Sequence, residues 1–156
     1  MEHVAVTTVA EMRAAVLERL PAATIVVKAA APADYRPQKR AAQKIHKGAR
    51  ELTLALEATE DILSEVARQK GSRIVVGFAA ETENAVSSAQ SKLKAKQLDL
   101  VVANDVSQDD GVFDSDYNTV TIIGRGIERH LPRMPKLQVA NEILDEVSRY
   151  RSGKAS

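Results

Sequence analysis

Three apolar segments without polar–apolar alternation limit most strongly how this chain can fold. Residues 24–27, 73–78 and 98–103 are short and rich in valine, isoleucine and leucine. Strands of this kind are buried on both faces, which happens when helices cover both sides of a parallel sheet. Stretches with helical spacing separate the three segments. The sequence therefore predicts a three-layer α/β sandwich with a mainly parallel sheet.

Capping residues and helix breakers set the boundaries of the other elements. Thr8 and Glu11 form a capping box that begins a first helix, and Pro21 ends it. A second helix is predicted from about residue 60 to 69, with Thr59 as its cap. The remaining predictions are a half-exposed strand over 51–57, a helix over 85–97, a strand over 120–123, a terminal helix over 137–150 and a disordered tail over 151–156.

The composition excludes several classes of protein. The 156 residues fit one domain, and the absence of cysteine excludes thiol nucleophiles, disulfide scaffolds, cysteine-ligated zinc and iron–sulfur clusters. No apolar run reaches the roughly 18–20 residues of a membrane span, and residues 1–20 contain no signal-peptide core. The net charge of +1 provides no general attraction for nucleic acid or membrane, so we expect neither as a partner. The absence of cysteine fits a reducing compartment, and we expect a cytoplasmic location.

Small and polar residues follow each buried segment, at the points where parallel strands end. They occupy residues 30–35, 77–82 and 104–106. Ligands of open α/β sheets bind outside the carboxyl ends of the strands. We therefore expect a binding site where these three segments meet.

The candidate residues also have structural interpretations. Asp34 is either a turn aspartate that accepts backbone hydrogen bonds or a carboxylate that faces a ligand. The basic stretch 39–47 is either a solvated loop or a flexible segment that closes over a polyphosphate. Lys92 and Lys96 lie on one helical face, which is usually a solvated stripe.

Familiar phosphate and metal motifs are missing from the sequence. There is no phosphate loop, no Gly-x-Gly-x-x-Gly and no His-Glu-x-x-His. Asn104 with Asp105, and residues 114–118, are either turns or ligands of a cation. The second stretch lacks the glycine and the bidentate glutamate of an EF-hand, which argues against calcium.

Six short motifs follow one another along the chain, at residues 29–37 (AAAPADYRP), 44–47 (KIHK), 76–82 (VGFAAET), 92–96 (KLxxK), 102–106 (VANDV) and 113–118 (FxxDxN). Together and in this order they resemble the phosphopantothenate–cysteine ligase domain. The resemblance covers nearly the whole chain, residues 1–150, and implies a Rossmann-like fold. In bacteria this domain is usually the C-terminal half of a bifunctional coenzyme A biosynthesis protein, behind a flavin-dependent phosphopantothenoylcysteine decarboxylase.

The resemblance implies that the complete enzyme joins 4′-phosphopantothenate to cysteine. CTP, with Mg²⁺, first activates the carboxylate as an acyl-cytidylate and releases pyrophosphate, and the cysteine amine then attacks the activated acyl group. Ligase domains of this family are homodimers. In the implied parent protein, FMN belongs only to the decarboxylase domain.

The resemblance also implies roles for residues in the matching motifs. Lys44, on a flap over about residues 38–50, is expected to be catalytic and to contact the nucleotide. Lys92 and Lys96 are expected to bind the nucleotide phosphates, and Asp34 to bind the nucleotide directly or through Mg²⁺. The implied cytosine and ribose pocket consists of Ala33, Gly77, Phe78 and Ala79, with Asn104 and Asp105 as supporting residues.

The sequence departs from the family pattern at three places. Pro32 stands where the family usually has valine, and His46 where lysine is commoner. Nothing matches the family's Gly-rich N-terminal segment, which helps to bind phosphates and carries an asparagine that engages the acyl intermediate. We therefore expect a C-terminal portion of a ligase domain that is inactive when isolated. The alternatives are another nucleotide-binding α/β transferase and a dimerisation or regulatory module without activity.

Overall fold

Helices and strands alternate along the computed structural model, which describes residues 2–39, 41–45, 51–81, 84–105 and 115–154. The helices within these ranges are α1 (Val9–Arg19), α2 (Ile62–Arg68), α3 (Ala85–Ala95) and α4 (Lys136–Lys154). The strands are β1 (Ile25–Lys28), β2 (Tyr35–Pro37), β3 (Leu56–Ala58), β4 (Ile74–Glu81), β5 (Leu100–Asp105), β6 (Tyr117–Gly124) and β7 (Ile127–Pro135).

Five strands form one central sheet in the order β1-β4-β5-β6-β7. β1, β4 and β5 pair in parallel, with Ile25 opposite Ile74 and Val76 opposite Leu100. β6 pairs antiparallel with both β5 and β7. β7 therefore points in the same direction as the first three strands, and only β6 is reversed. This mostly parallel sheet confirms the predicted α/β class.

Helices cover both faces of this sheet and complete three layers. On one face, α1, α2 and α3 enclose a core that contains Val66 and Val75. On the other face, α4 packs Ile143 and Val147 into a second core that contains Val76. Neighbouring strand residues enter different cores because side chains alternate between the faces of a strand. This explains why the strand sequences are apolar throughout.

Local capping explains where the first two helices begin. The Thr8 hydroxyl accepts the N–H of Glu11 at 3.1 Å, and the Glu11 carboxylate accepts the N–H of Thr8 at 3.2 Å, which confirms the capping box. The predicted cap of α2 was wrong. Asp61, not Thr59, accepts the first-turn N–H, from Ser64 at 3.1 Å.

Two elements near the C-terminus differ from the sequence prediction. β7 was not predicted, because prolines and charged residues make its sequence resemble a loop. Pro132 lies where the register between β6 and β7 shifts, a position at which a strand tolerates proline. α4 continues to Lys154, so the predicted disordered tail is helical as far as that residue. No proline stops the helix, and the Ser152 hydroxyl donates to the Ser148 carbonyl at 3.1 Å.

β2 and β3 form a separate antiparallel ribbon. Tyr35 lies opposite Ala58, and the Arg36 guanidinium donates to the Glu57 carboxylate at 2.8 Å. β3 is shorter than the strand predicted over 51–57. The ribbon flanks the predicted flap, of which residues 38, 39 and 41–45 are described; they are exposed and belong to no helix or strand. Residues 40 and 46–50 of the flap lie outside the described residues.

A buried carboxylate ties the sheet to α4 at the end opposite the predicted site. Asp99 is only 3% exposed and accepts the N–H of Val75 at 2.9 Å. The Lys70 ammonium lies 3.1 Å from the same carboxylate, and the Tyr150 hydroxyl donates to it at 3.3 Å. These partners compensate for the desolvation of a buried charge.

No helix in the described ranges combines the length and the apolar character that would allow it to cross a membrane.

Candidate functional site

A cleft of about 520 Å³ opens at the carboxyl ends of β1, β4 and β5. The sequence predicted a site at this edge of the sheet. The first residues of α2, the last turn of α3 and the turn after β1 form its walls. The residues that give it chemical character are Lys28, Asp34, Glu60, Asp61, Phe78, Ala79, Lys92, Lys96 and Asn104.

Two lysines from α3 reach into the cleft from one side. Lys92 and Lys96 are one helical turn apart, as their spacing predicted. The Lys92 ammonium donates to the Phe78 carbonyl at 2.7 Å, which holds this lysine against the end of β4. The Lys96 ammonium lies 2.7 Å from the Asp61 carboxylate. Both cations are therefore ordered by the fold and do not form an unconstrained surface stripe.

Lys28 adds a third cation from the end of β1. Its ammonium donates to the Ala30 carbonyl at 3.0 Å. Burial lowers the pKa of Lys28, and the charges of Lys96 and Lys92 lower it further, while Asp61 partly opposes them. Three ammonium groups thus influence one another across the cleft, and an anion placed between them would relieve their mutual repulsion.

Asp61 is the carboxylate that meets these cations at the beginning of α2. Burial opposes its ionisation, but hydrogen bonds from the Lys96 ammonium and from the hydroxyl and N–H of Ser64 outweigh burial and lower its pKa to about 2. The Ser64 hydroxyl donates to Asp61 at 2.6 Å. Asp61 is therefore a fixed negative charge at physiological pH.

The floor of the cleft contains an amide with an unused hydrogen-bonding atom. The Oδ1 atom of Asn104 is buried and accepts no hydrogen bond within the described part of the chain. Asn104 lies on β5 opposite Ala80 of β4, two residues beyond Phe78. A buried polar atom without a partner is uncommon, and in a cleft it is suited to pair with a ligand.

A hydroxyl fixes the turn that carries Asp34. The Thr59 hydroxyl donates to the Ala33 carbonyl at 2.6 Å, and the Thr59 N–H donates to the Asp34 carbonyl at 2.9 Å. This pair of bonds sets the wall formed by residues 29–34. Asp34 lines the cleft, as predicted, whereas Ala33 contributes its carbonyl to the turn and does not line the cavity.

Gly77 and Lys44 do not line the cavity, and for Asp105 the structure describes only the backbone. Gly77 is buried within β4, where a Cβ atom would lie 2.9 Å from methyl groups of both Leu63 and Leu98. Its role in this structure is close packing between the sheet and its helices. Lys44 is exposed and does not line the cleft. Asp105 ends β5 opposite Glu81, and its side chain lies outside the described residues.

Sequence reasoning missed Lys28 and Asp61 as cleft residues. Lys28 is the last residue of β1, and the rule that ligands bind at carboxyl ends would have identified it had the strand been extended by one residue. Asp61 was assigned to the interior of a helix that in fact begins after it. The signal was its position three residues before Ser64, a spacing typical of a capping aspartate.

The donor set of the cleft suits a cation held jointly with a phosphate. Across the described part of the chain, no three histidine, aspartate or glutamate residues come together as metal ligands. Asp34 and Asp61 each line the cavity with a carboxylate. Mg²⁺ typically binds one or two carboxylates together with substrate phosphates and waters, so these residues fit it only in that form.

A second cavity, of about 460 Å³, lies between α1 and β1. Its walls are mainly aliphatic, with Val16, Val26 and Leu63 among them. It brings together none of the opposed charges that the first cleft contains, apart from sharing Lys28. Of these two cavities, the cleft at the strand ends is the one that brings opposed charges together.

Comparison with known proteins gives the family. Residues 1–150 match the model of the DNA/pantothenate metabolism flavoprotein C-terminal domain. The chain belongs to this family. The assignment confirms the resemblance to the ligase domain of coenzyme A biosynthesis that the sequence motifs indicated.

Relatives of this C-terminal domain family are considerably longer than the chain. The coenzyme A biosynthesis bifunctional protein CoaBC of Bacillus subtilis (strain 168) is 45% identical over 148 residues, which are 94% of this chain and 36% of the relative. The protein of the same name from Escherichia coli (strain K12) is 41% identical over 155 residues, 96% of this chain and 38% of the relative. The chain thus spans little more than a third of the length of these relatives.

A solved structure shares the fold of this family member. The crystal structure of the C-terminal domain of the coenzyme A biosynthesis bifunctional protein CoaBC superposes with a TM-score of 0.75 and 31% sequence identity. The match covers 98% of this chain and 66% of that chain.

Proposed function

We propose that this domain provides the nucleotide-binding part of a phosphopantothenate–cysteine ligase of coenzyme A biosynthesis. The proposal rests on one observation above all: three ordered lysines converge on the cleft at the carboxyl ends of the parallel strands. The three ammonium groups suit the phosphates of a nucleotide, and the carboxylates of Asp34, Glu60 and Asp61 beside them suit a metal ion bound together with those phosphates. Family membership then narrows the reaction to the coenzyme A pathway.

The reaction we propose proceeds in two steps. A carboxylate oxygen of 4′-phosphopantothenate attacks the α-phosphorus of CTP, and pyrophosphate leaves with the electron pair of the broken P–O bond. The amine of cysteine then attacks the carbonyl carbon of the acyl-cytidylate, loses a proton and expels CMP. The first step brings two anions together, so its barrier depends on cations that neutralise the triphosphate.

Some of the described residues would neutralise the charge of the phosphates, and others would form the pocket for the nucleoside. Lys92 and Lys96 donate to the phosphates from the end of α3, and Lys28 adds a charge from the end of β1. Phe78 and Ala79 offer an apolar surface for the cytosine and ribose. The unpartnered Asn104 oxygen supports the ligand from the floor.

Three further residues complete the proposed site. Ala33 and Asp34 form the turn beside the nucleotide, and Asp34 shares Mg²⁺ with the phosphates. The ion would supply positive charge that withdraws electrons from the phosphate oxygens. Lys44 is the proposed catalytic lysine, which would stabilise the charge of the reacting phosphate. Gly77 supports the pocket through packing, and Asp105 through its place at the end of β5.

The proposal includes the longer protein to which this domain would belong. We place it in a cytoplasmic homodimeric protein in which a flavin-dependent decarboxylase with FMN precedes the ligase. The name of the bifunctional relatives supports such a fusion. The expected partners of the ligase are CTP, 4′-phosphopantothenate and cysteine.

An exchange experiment tests the proposed reaction. The segment of the Bacillus subtilis protein that this chain matches is replaced by the chain, and pyrophosphate release is measured with phosphopantothenate, cysteine and either CTP or ATP. We expect CTP-dependent formation of phosphopantothenoylcysteine. The 156-residue chain assayed alone should bind CTP weakly and make no product.

Other outcomes of the exchange contradict the proposal. A folded chimera that consumes ATP in preference to CTP points to a different nucleotide-dependent transferase. A folded chimera that consumes neither nucleotide, while the unmodified relative is active, supports a dimerisation or regulatory module.

A further inference from the structure

The ion pair between Asp61 and Lys96 joins two walls of the cleft. Asp61 caps α2, and Lys96 follows the last turn of α3. Their charged groups lie 2.7 Å apart, and both residues line the cavity. Because the two helices are far apart in sequence, only the folded domain brings these charges together.

The two partners differ in how firmly the structure holds them. The Asp61 carboxylate accepts hydrogen bonds from the N–H of Ser64 at 3.1 Å and from its hydroxyl at 2.6 Å. Lys96 ends a flexible four-carbon chain. The carboxylate is therefore the fixed member of the pair, and it determines where the ammonium of Lys96 lies.

The ion pair has two opposed consequences for an anionic ligand. An ammonium has three donor protons, so Lys96 can donate to a phosphate while it keeps its bond to Asp61. The negative charge of Asp61, however, partly neutralises the Lys96 ammonium, so that Lys96 attracts the phosphate less strongly. Asp61 therefore orients one phosphate ligand and weakens the binding of that phosphate.

We propose that Asp61 is a positioning residue that holds the Lys96 ammonium for a polyphosphate and lowers ground-state affinity in doing so. This inference rests on the proposed function and extends it to a residue that does not itself bind the phosphates. An interaction that orients a reacting group raises kcat without tightening binding. Loss of the Asp61 charge should thus separate affinity from turnover.

The substitution Asp61→Asn removes the charge and keeps the helix cap, because asparagine is an equally good N-cap residue. Binding of inorganic triphosphate to the 156-residue chain is measured by calorimetry. We expect Asp61→Asn to bind about three to ten times more tightly than the wild type. The gain should disappear when Lys96→Met is also present.

Glu65→Gln is the matched control. It removes the same charge from the same helix, where Glu65 pairs with Arg13 outside the cleft. Triphosphate affinity should change by less than about twofold in this variant, because separated surface charges are screened by salt. Thermal melting of each variant verifies that it is folded.

Two binding results would overturn the inference. Weaker triphosphate binding by Asp61→Asn would mean that the Asp61 charge strengthens ground-state binding and does not weaken it. An equal gain in affinity with and without Lys96 would mean that Asp61 acts through its charge in general and not through Lys96.

Kinetics of the chimera give a second test. Asp61→Asn should lower kcat while KM for CTP stays equal or falls, and Asp61→Glu should restore part of kcat. A rise in KM at unchanged kcat contradicts a positioning role.

Failure of the proposed function gives a different result. A wild-type chain that binds no triphosphate at millimolar concentration contradicts the phosphate site itself. Chemical acetylation of the chain then decides the role of Asp61. Peptide mass spectrometry measures the extent of acetylation at Lys96, with Lys94 as the internal reference. Asp61→Asn should raise the labelling of Lys96 several-fold and Glu65→Gln should not; unchanged labelling in Asp61→Asn overturns the positioning role.

Discussion

Gly77→Ala tests whether this glycine serves packing or ligand binding. The new Cβ atom would lie 2.9 Å from a methyl carbon of Leu63 and 2.9 Å from one of Leu98. Apolar carbons are attracted at about 3.5–4.0 Å, so both methyl groups must move by about 0.6–1.1 Å. Each belongs to a buried leucine in the core beneath α2.

The expected magnitude for Gly77→Ala follows from two opposed terms. Overpacking of a core costs about 1–3 kcal/mol. Alanine loses less backbone entropy than glycine on folding, which offsets about 0.5–1 kcal/mol. We expect a net loss of about 1–2 kcal/mol in the free energy of unfolding, measured by urea denaturation, with a fall of about 2–4 °C in Tm per kcal/mol.

Two variants of the same chain control this measurement. Gly153→Ala adds the same atom in α4, where no atom lies within 4 Å, and should leave stability equal or slightly higher. Combining Gly77→Ala with Leu98→Val should cost less than the sum of the two single changes, because the shorter side chain makes room. If Gly77→Ala is as stable as the wild type but loses triphosphate binding, the glycine contacts the ligand and the packing argument is wrong.

Three further predictions concern single side chains. Asp99→Ala should lower the free energy of unfolding by about 3 kcal/mol in urea denaturation, because the Val75 N–H and the Lys70 ammonium lose their carboxylate. Stability should also fall as pH drops from about 4 to about 2. The pKa of Asp61 is about 2 in the fold against an ordinary value of 3.8, so its contribution is complete above 3.8 and is lost below. Since Asp61 is partly exposed, we expect only about 1 kcal/mol, absent from Asp61→Asn. Lys44→Ala in the chimera should slow pyrophosphate release by about a hundredfold or more and weaken CTP binding by less than about fivefold.

Each of these predictions has an outcome that contradicts it. An Asp99→Ala variant within about 0.5 kcal/mol of the wild type would mean that water replaces the carboxylate without penalty. If the stability of the wild type and of Asp61→Asn falls equally as the pH is lowered, the lowered pKa of Asp61 does not contribute to stability. A Lys44→Ala variant whose CTP affinity collapses while its turnover at saturation persists would make Lys44 a binding residue.

Elements with a strong local signal were predictable from the sequence. The capping box at Thr8 and Glu11 and the apolar runs of β4 and β5 lead directly to the observed structure. β7 was not predictable in this way, because its residues form a strand through their pairing with β6 and carry no strand pattern of their own. Pro132 would interrupt a regular strand, but it lies where the β6–β7 register shifts.

The candidate site was predictable only in part, for a related reason. Lys92 and Lys96 were placed on one helical face because helical spacing is a local property, and their proposed phosphate-binding role came from the family resemblance. The pairing of Lys96 with Asp61 depends on how α2 and α3 pack, and no local pattern reports that contact. The role of Gly77 in the pocket stays a prediction, because a glycine at a strand end suits both close packing and close approach of a ligand.

A titration of the ¹⁵N-labelled 156-residue chain with CTP and Mg²⁺, followed by NMR, tests the central claim most directly because it detects weak binding. We predict that amide shifts concentrate at Phe78, Lys92, Lys96 and Asn104, and that Lys92→Met with Lys96→Met abolishes them. Shifts confined to the groove between α1 and β1, or no shift at millimolar CTP, would contradict the assignment of the cleft as a nucleotide site.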